Sequence, residues 1–233
     1  MEINCKFGLT GNQLKIIAMI LMTVDHIGAY LFPQVRLLRI IGRLSMPIFA
    51  YMIAEGCRYT KNRLRYFLTL AGFALVCQIV YLVFQNSLIQ CILVTFSLSV
   101  LLIYCVDFAA KKQTAVSYLV LVIAFAAVYG ICARLPKLLT GTDFSIDYGF
   151  AGVLLPVFIY LGRTKEEKLA LAAGGLTVLA VCTYPIQWYA LLSLPLLALY
   201  NGKRGKKPMK YLFYFYYPLH LAAIYGVGLL CYP

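Results

Sequence analysis

Nine stretches of apolar residues alternate with short polar connections along the 233-residue chain. Their approximate limits are 13–32, 37–56, 66–85, 88–107, 115–133, 148–162, 169–184, 186–200 and 211–231. Runs of this length suit helices crossing about 30 Å of hydrocarbon, whereas barrel strands are about 9–11 residues long and alternate strictly. The pattern predicts an all-α, polytopic transmembrane helix bundle of about nine spans. Eight to ten are compatible with it, because the sixth stretch is short and only Tyr184-Pro185 divides the seventh from the eighth. Pro47, Pro156, Pro195 and Pro218 fall inside the stretches, where proline kinks a helix or frees backbone carbonyls. No long hydrophilic segment is present, so residues 1–233 read as a single transmembrane domain. The first stretch is too long and too polar for a signal-peptide core and is expected to be retained.

Composition agrees with this reading. The chain is 63% hydrophobic and 12% charged, against about 45–50% and about 25% in soluble domains, which excludes a soluble enzyme. The net charge of +13 sits in short clusters between apolar runs. That is a topology signal, not a nucleic-acid surface. With nine spans and a cytoplasmic N-terminus, sixteen Lys/Arg fall inside and only Arg36, Arg39, Arg134 and Lys137 outside, with Arg43 within the second span. The positive-inside rule therefore predicts a cytoplasmic N-terminus and an external C-terminus in a cell (plasma or inner) membrane. Eight cysteines fall singly, with no CxxC pair and no metal-ligand spacing. They read as small core residues, and no metal is expected.

The first stretch, QLKIIAMILMTVDHIGAYLFP, carries the chemistry. A charge at the centre of a membrane helix costs roughly 2.5–3.5 kcal/mol on insertion scales, and here Lys15, Asp25 and His26 share one span. Lys15 and His26 are 11 residues apart, about three turns and roughly 16 Å of rise, so they share a face. Asp25 points about 100° away from His26. A tight turn near Pro33 and Gln34 makes spans one and two an antiparallel hairpin, placing Arg43 opposite Asp25 and His26. These three groups are expected to meet in one polar pocket. Arg36, Arg39 and Arg43 form a basic column at i, i+3, i+7.

Elsewhere the polar groups have plainer readings. Glu55 is three residues before Arg58 and is expected to pair with it. Asp107 is four residues before Lys111, which suggests an interfacial pair. Arg58, Lys61, Arg63 and Arg65 make a basic patch, either a lipid and topology anchor or a polyanion site. The loop Arg134–Asp147 is the longest on the external side and could cover a cavity mouth, and Asp147 is a candidate N-cap for the sixth span. His220 lies on the last span. As one of two histidines in the chain, it is a candidate for the same pocket as His26; Glu55 and Tyr51 are further pocket candidates.

The blocks LTGNQLKIIAMILMTVDHIGAYLFP, LLRIIGRLSMPIFAYMIAEGCRYTKNRLRYF, DYGFAGVLLPVFIY and KYLFYFYYPLHLAAIYG together resemble TraX proteins, a family named for a conjugal-transfer protein that N-acetylates pilin. Lys15 through His26 is also similar to a wider class of membrane acyltransferases marked by a basic residue, ten residues, then His. The resemblance implies an acyltransferase using cytosolic acyl-CoA, acetyl-CoA above all, with His26 catalytic and Lys15 on the donor side. The acceptor is left open among a peptide amine, a glycan hydroxyl and a lipid-linked glycan.

A neutral imidazole suits general-base work, because its unperturbed pKa of about 6.5 lies near neutrality. His26 is therefore the expected base, with Asp25 and Arg43 as its companions in the catalytic group. Lys15, Arg58, Lys61, Arg63 and the Lys203–Lys210 cluster are candidate contacts for the phosphates of CoA. Membrane lipids are the other expected partners. The competing reading is a small secondary transporter or proton-coupled carrier, since buried Asp, His and Arg also form relays. The absence of an inverted repeat in the sequence weighs against it.

Overall fold

The computed structural model describes residues 8–206 and 209–231, and the side chains of Lys210, Tyr211 and Cys231 lie outside what is described. Cys5, Lys6 and Lys207, which belong to the cysteines and basic clusters counted above, are likewise outside the described residues. Among the described residues all regular structure is helical, apart from two isolated bridges, Leu9 with Tyr200 and Gln90 with Ile146. The elements are α1 (Gly11–Tyr30), α2 (Arg36–Gly42), α3 (Ser45–Tyr59), α4 (Arg63–Gln85), α5 (Ile92–Lys112), α6 (Ala115–Tyr129), a π-helical turn (Gly130–Arg134), α7 (Leu135–Leu138), α8 (Gly149–Leu161), α9 (Lys165–Cys182), a 3-10 segment (Pro185–Ser193), α10 (Leu194–Ala198) and α11 (Lys210–Cys231). Every apolar stretch has a helical counterpart. Among the described residues, five helices are long and apolar enough to cross a membrane: Arg36–Tyr59, Arg63–Gln85, Ile92–Lys112, Ala115–Leu138 and Leu212–Leu230. The chain is a multi-pass membrane protein.

Local chemistry sets the helix boundaries. Thr10 and Gln13 make a reciprocal capping box at the start of α1, and Thr164 with Glu167 does the same for α9, satisfying N–H groups that have no partner within the helix. Pro47 cannot donate to the carbonyl of Arg43, and the second span breaks there into α2 and α3. Pro136 likewise follows the π-helical turn, where the loss of one donor lets an extra residue into the ladder. The eighth stretch opens at Pro185 as a 3-10 segment rather than an α-helix.

The core lies where α3, α5 and α8 pack together, with Ile48, Val100 and Leu155 fully buried. α1 lies against α2, α3 and α11, so its polar face is covered by protein. α1 and α2 approach closely because of glycine. A Cβ at Gly28 would meet Leu38, and one at Gly42 would overlap Asp25.

Several pairings differ from those expected. Glu55 bonds Lys168 Nζ at 2.6 Å, not Arg58. Arg58 donates to the carbonyls of Tyr160 (2.5 Å) and Gly162 (2.7 Å) at the end of α8. Asp107 takes Arg63 and the Tyr160 hydroxyl in place of Lys111. In each case a helix neighbour in space outcompetes the neighbour in sequence. Asp147 does not cap α8; that place is held by Tyr148, in the left-handed region with φ 60°. Cys182 is exposed rather than in the core, whereas Cys57, Cys77, Cys91 and Cys132 are buried.

The segment before α8 is strapped to the α4–α5 turn. Gln90 N donates to Ser145 O (2.7 Å) and Asp147 N to Gln90 O (3.0 Å), while Asp143 accepts from Ser87 Oγ (2.5 Å) and Leu88 N (2.9 Å). Those two donors hold the Asp143 carboxyl below its ordinary 3.8. A depressed carboxyl stabilises the fold above its unfolded pKa and loses that contribution as pH falls through the folded one. Thermal unfolding in detergent should therefore show wild type above Asp143→Asn at pH 7, with the difference closing below about pH 4. Gly42→Ala should lower stability by about 1–3 kcal/mol through overpacking on Asp25. Gly72→Ala, where a Cβ meets nothing within 4 Å, is the matched control and should be neutral or slightly stabilising.

Candidate functional site

Two partly open cavities meet inside the bundle. The wider, about 470 Å³, is lined by Lys15, Glu55, Tyr59 and Arg204 together with apolar side chains of α3, α5 and α11. The narrower, about 190 Å³, is lined by Asp25, His26, Arg39, Arg43, Asp147 and Tyr148 among others. Met22, Phe49, Ile92 and Tyr217 stand on the walls of both.

The i, i+1 geometry of Asp25 and His26 sends them to different helices. Asp25 accepts from Arg43 Nε at 3.1 Å and also from Arg43 Nη2, while Arg39 Nη1 donates to its Oδ2 at 2.7 Å and to its carbonyl at 2.9 Å. Arg43 is only 6% exposed, so Asp25 neutralises a cation that cannot reach water. The remaining Arg43 nitrogen, Nη1, donates to Tyr148 Oη at 3.2 Å. That hydroxyl accepts from Arg43, which leaves its own proton free to donate. Tyr148 keeps its place at a backbone cost, since a bulky residue at positive φ is uncommon and such strain gathers at functional sites.

His26 faces α11 instead. Its Nδ1 lies 2.9 Å from the Met22 carbonyl and 3.1 Å from His220 Nε2. His220 Nδ1 lies 3.0 Å from the Tyr216 carbonyl. A carbonyl can only accept, so both Nδ1 atoms carry hydrogen. His220 Nε2 is then an acceptor, and the His26 Nδ1–H is shared between it and Met22 O. The neutral His26 ring is left with its Nε2 lone pair available. Tyr217 packs edge-on to both rings, at 6.3 and 5.3 Å between centroids. Thr23 Oγ1 to Tyr216 Oη, 2.6 Å, ties α1 to α11 one turn away.

Lys15 shares the α11-facing side of α1 with His26, its Nζ 5.1 Å from the Phe213 ring centre. Of the other expected donor contacts, Arg58 and Arg63 are engaged by α8 and Asp107 and do not line the wider cavity. Lys61 is exposed and also absent from its wall. From the Lys203–Lys210 cluster, Arg204 does line it. Glu55 is on the wall, already paired with Lys168. Tyr51 is not; it is buried in the core against Tyr200, 5.7 Å between ring centres. Arg39, expected only as part of a basic column, and Tyr148 join the site without having been named as site residues. Arg39's place one turn before Arg43 was a signal for it; the backbone conformation of Tyr148 had none. Among the described residues no His, Cys, Asp and Glu cluster could hold a metal ion.

Residues 10–228 match the family described as TraX protein. A Dichelobacter nodosus protein described as "Probable fimbrial assembly protein FimC, serogroup H1" is 28% identical over 252 residues, covering 91% of this chain and 93% of that protein. An uncharacterized protein of Rickettsia prowazekii (strain Madrid E) is 46% identical over 52 residues, 22% of this chain and 21% of its own length. No solved structure matches.

Leaving Arg43 without its counter-charge should be costly. Asp25→Ala is expected to lose about 3–5 kcal/mol. The double variant Asp25→Ala/Arg43→Leu should recover much of it, as read from unfolding midpoints of the detergent-solubilised proteins.

Proposed function

The chain belongs to the TraX family, and we propose that it is an integral-membrane acyltransferase moving an acetyl group from cytosolic acyl-CoA to an amine or hydroxyl acceptor within or across the membrane. The observation that carries this reading is the His26–His220 pair, with a free imidazole nitrogen on one of two abutting cavities and cations on the other. With the N-terminus cytoplasmic, the Lys15 end is the donor entrance. Lys15 and Arg204 offer charge to the phosphates, and the apolar wall suits the slender pantetheine arm. The narrower cavity then receives the acceptor from the opposite side. The relative named for fimbrial assembly supports a fimbrial or pilin subunit as the acceptor.

In the step itself, the acceptor nitrogen or oxygen attacks the thioester carbonyl carbon. Its proton passes to His26 Nε2. The C–S bond breaks as the tetrahedral oxyanion collapses, and CoA leaves as a thiolate that takes the proton back from His26. The charge that forms on the His26 ring strengthens its Nδ1–H bond to His220, so His220 is a positioning residue that fixes tautomer and ring orientation. The free Tyr148 proton, with Arg43 behind it, is the donor offered to the oxyanion. Arg39, with a side chain 31% exposed, adds positive charge on the same wall.

Two cavities meeting end to end also suit a carrier. Solute uptake into vesicles without thioester consumption would favour that reading instead. Purified wild-type protein should slowly hydrolyse acetyl-CoA to CoA and acetate, water standing in for the acceptor, and His26→Ala should slow this by about 10²–10⁴-fold while its unfolding midpoint holds. His220→Asn, which keeps an acceptor for Nδ1–H, should retain more activity than His220→Leu. Wild-type turnover in His26→Ala would remove that residue from the mechanism.

A further inference from the structure

The wall shared by the two cavities has a consequence for the donor. Met22, Phe49, Ile92 and Tyr217 come from four different helices, α1, α3, α5 and α11, and three of them are buried: Met22 at 6%, Ile92 at 8% and Tyr217 at 5% exposure. A thioester whose sulfur end is held in the wider cavity must present its carbonyl carbon to a nucleophile beside His26, in the narrower one. The acyl group has to pass between these four side chains. Beyond them, about 190 Å³ must hold both the acyl group and the reacting end of the acceptor. The wider cavity has about 470 Å³, more than twice that room. An acetyl group leaves space for the acceptor, whereas each further methylene competes with it.

We infer that Met22, Phe49, Ile92 and Tyr217 select the acyl group by size and restrict transfer to the shortest chains. This rests on the acyltransferase reading. Tyr217 is also packed on both histidines, so the other three are the positions to vary. Opening the constriction at Phe49 or Met22 should admit longer chains, and filling it at Ile92 should exclude all but acetyl.

The test is hydrolysis of acetyl-, propionyl-, butyryl- and hexanoyl-CoA by the purified full chain in detergent, water standing in for the acceptor, with free CoA quantified by mass spectrometry. Wild type should lose about tenfold per added methylene, the low end of the discrimination one methylene carries in a binding site. Phe49→Ala and Met22→Ala should each raise the butyryl-to-acetyl ratio by about tenfold or more, and Ile92→Phe should lower the propionyl-to-acetyl ratio. Measuring ratios within one preparation separates selectivity from partial loss of fold, and Met22→Ala serves where Phe49→Ala does not fold. The inference is overturned if wild type consumes hexanoyl-CoA as readily as acetyl-CoA, or if the variants keep the wild-type profile while still consuming acetyl-CoA. Failure to bind or consume any of the four thioesters would overturn the acyltransferase reading, and the inference with it.

Discussion

The arrangement depends on one buried carboxylate. Asp25 accepts from two arginines of the next helix, and the closeness this needs is available only because residue 42 has no side chain. Neither helix is comfortable in hydrocarbon by itself, since α1 brings Lys15 and Asp25, and α2 with its C-cap brings three arginines. Joined through the tight turn at Pro33, they give the deeply buried Arg43 a counter-charge in Asp25. The hairpin is therefore the unit that can enter a bilayer, and its pairing sets the depth of everything else on α1. With Asp25 directed at α2, the adjacent His26 has to face α11.

That forced divergence separates structure from chemistry on successive residues. Asp25 spends its lone pairs on holding the fold, and His26 keeps one free. The link between them is indirect: Arg43 bonds Asp25 on one side and the Tyr148 hydroxyl on the other. Tyr148 is itself fixed by an unfavourable backbone conformation and by the strap from the α4–α5 turn. A base and a potential hydrogen-bond donor thus reach one cavity from different parts of the chain, each held by contacts that do not involve a substrate.

How much of this could be read from residue order alone follows from the range of each interaction. Apolar run lengths marked the helices, because that signal is local. The Asp25–Arg43 contact was legible because a tight hairpin makes pairing a matter of counting. Glu55 and Asp107 were assigned to sequence neighbours, yet they bond residues 113 and 44 positions away. Inside a membrane bundle a buried charge takes the partner that packing delivers, and spacing along one helix does not predict which that is. His220 was within reach of inference only as the second of two histidines. The left-handed Tyr148, and the division of the interior into two cavities, follow from the packing of several helices at once.

The apolar wall between the cavities also bears on what the protein must not do. Two abutting cavities inside a membrane protein come close to being a pore, and a continuous file of water through one would let protons run down their gradient. Met22, Phe49, Ile92 and Tyr217 interpose hydrocarbon and an aromatic edge where such a file would have to form. A group that carries no charge can slip through this seal while ions find no hydration there. Under the acyltransferase reading, chemistry on one side of the wall draws on a supply from the other without cost to the electrical insulation of the cell.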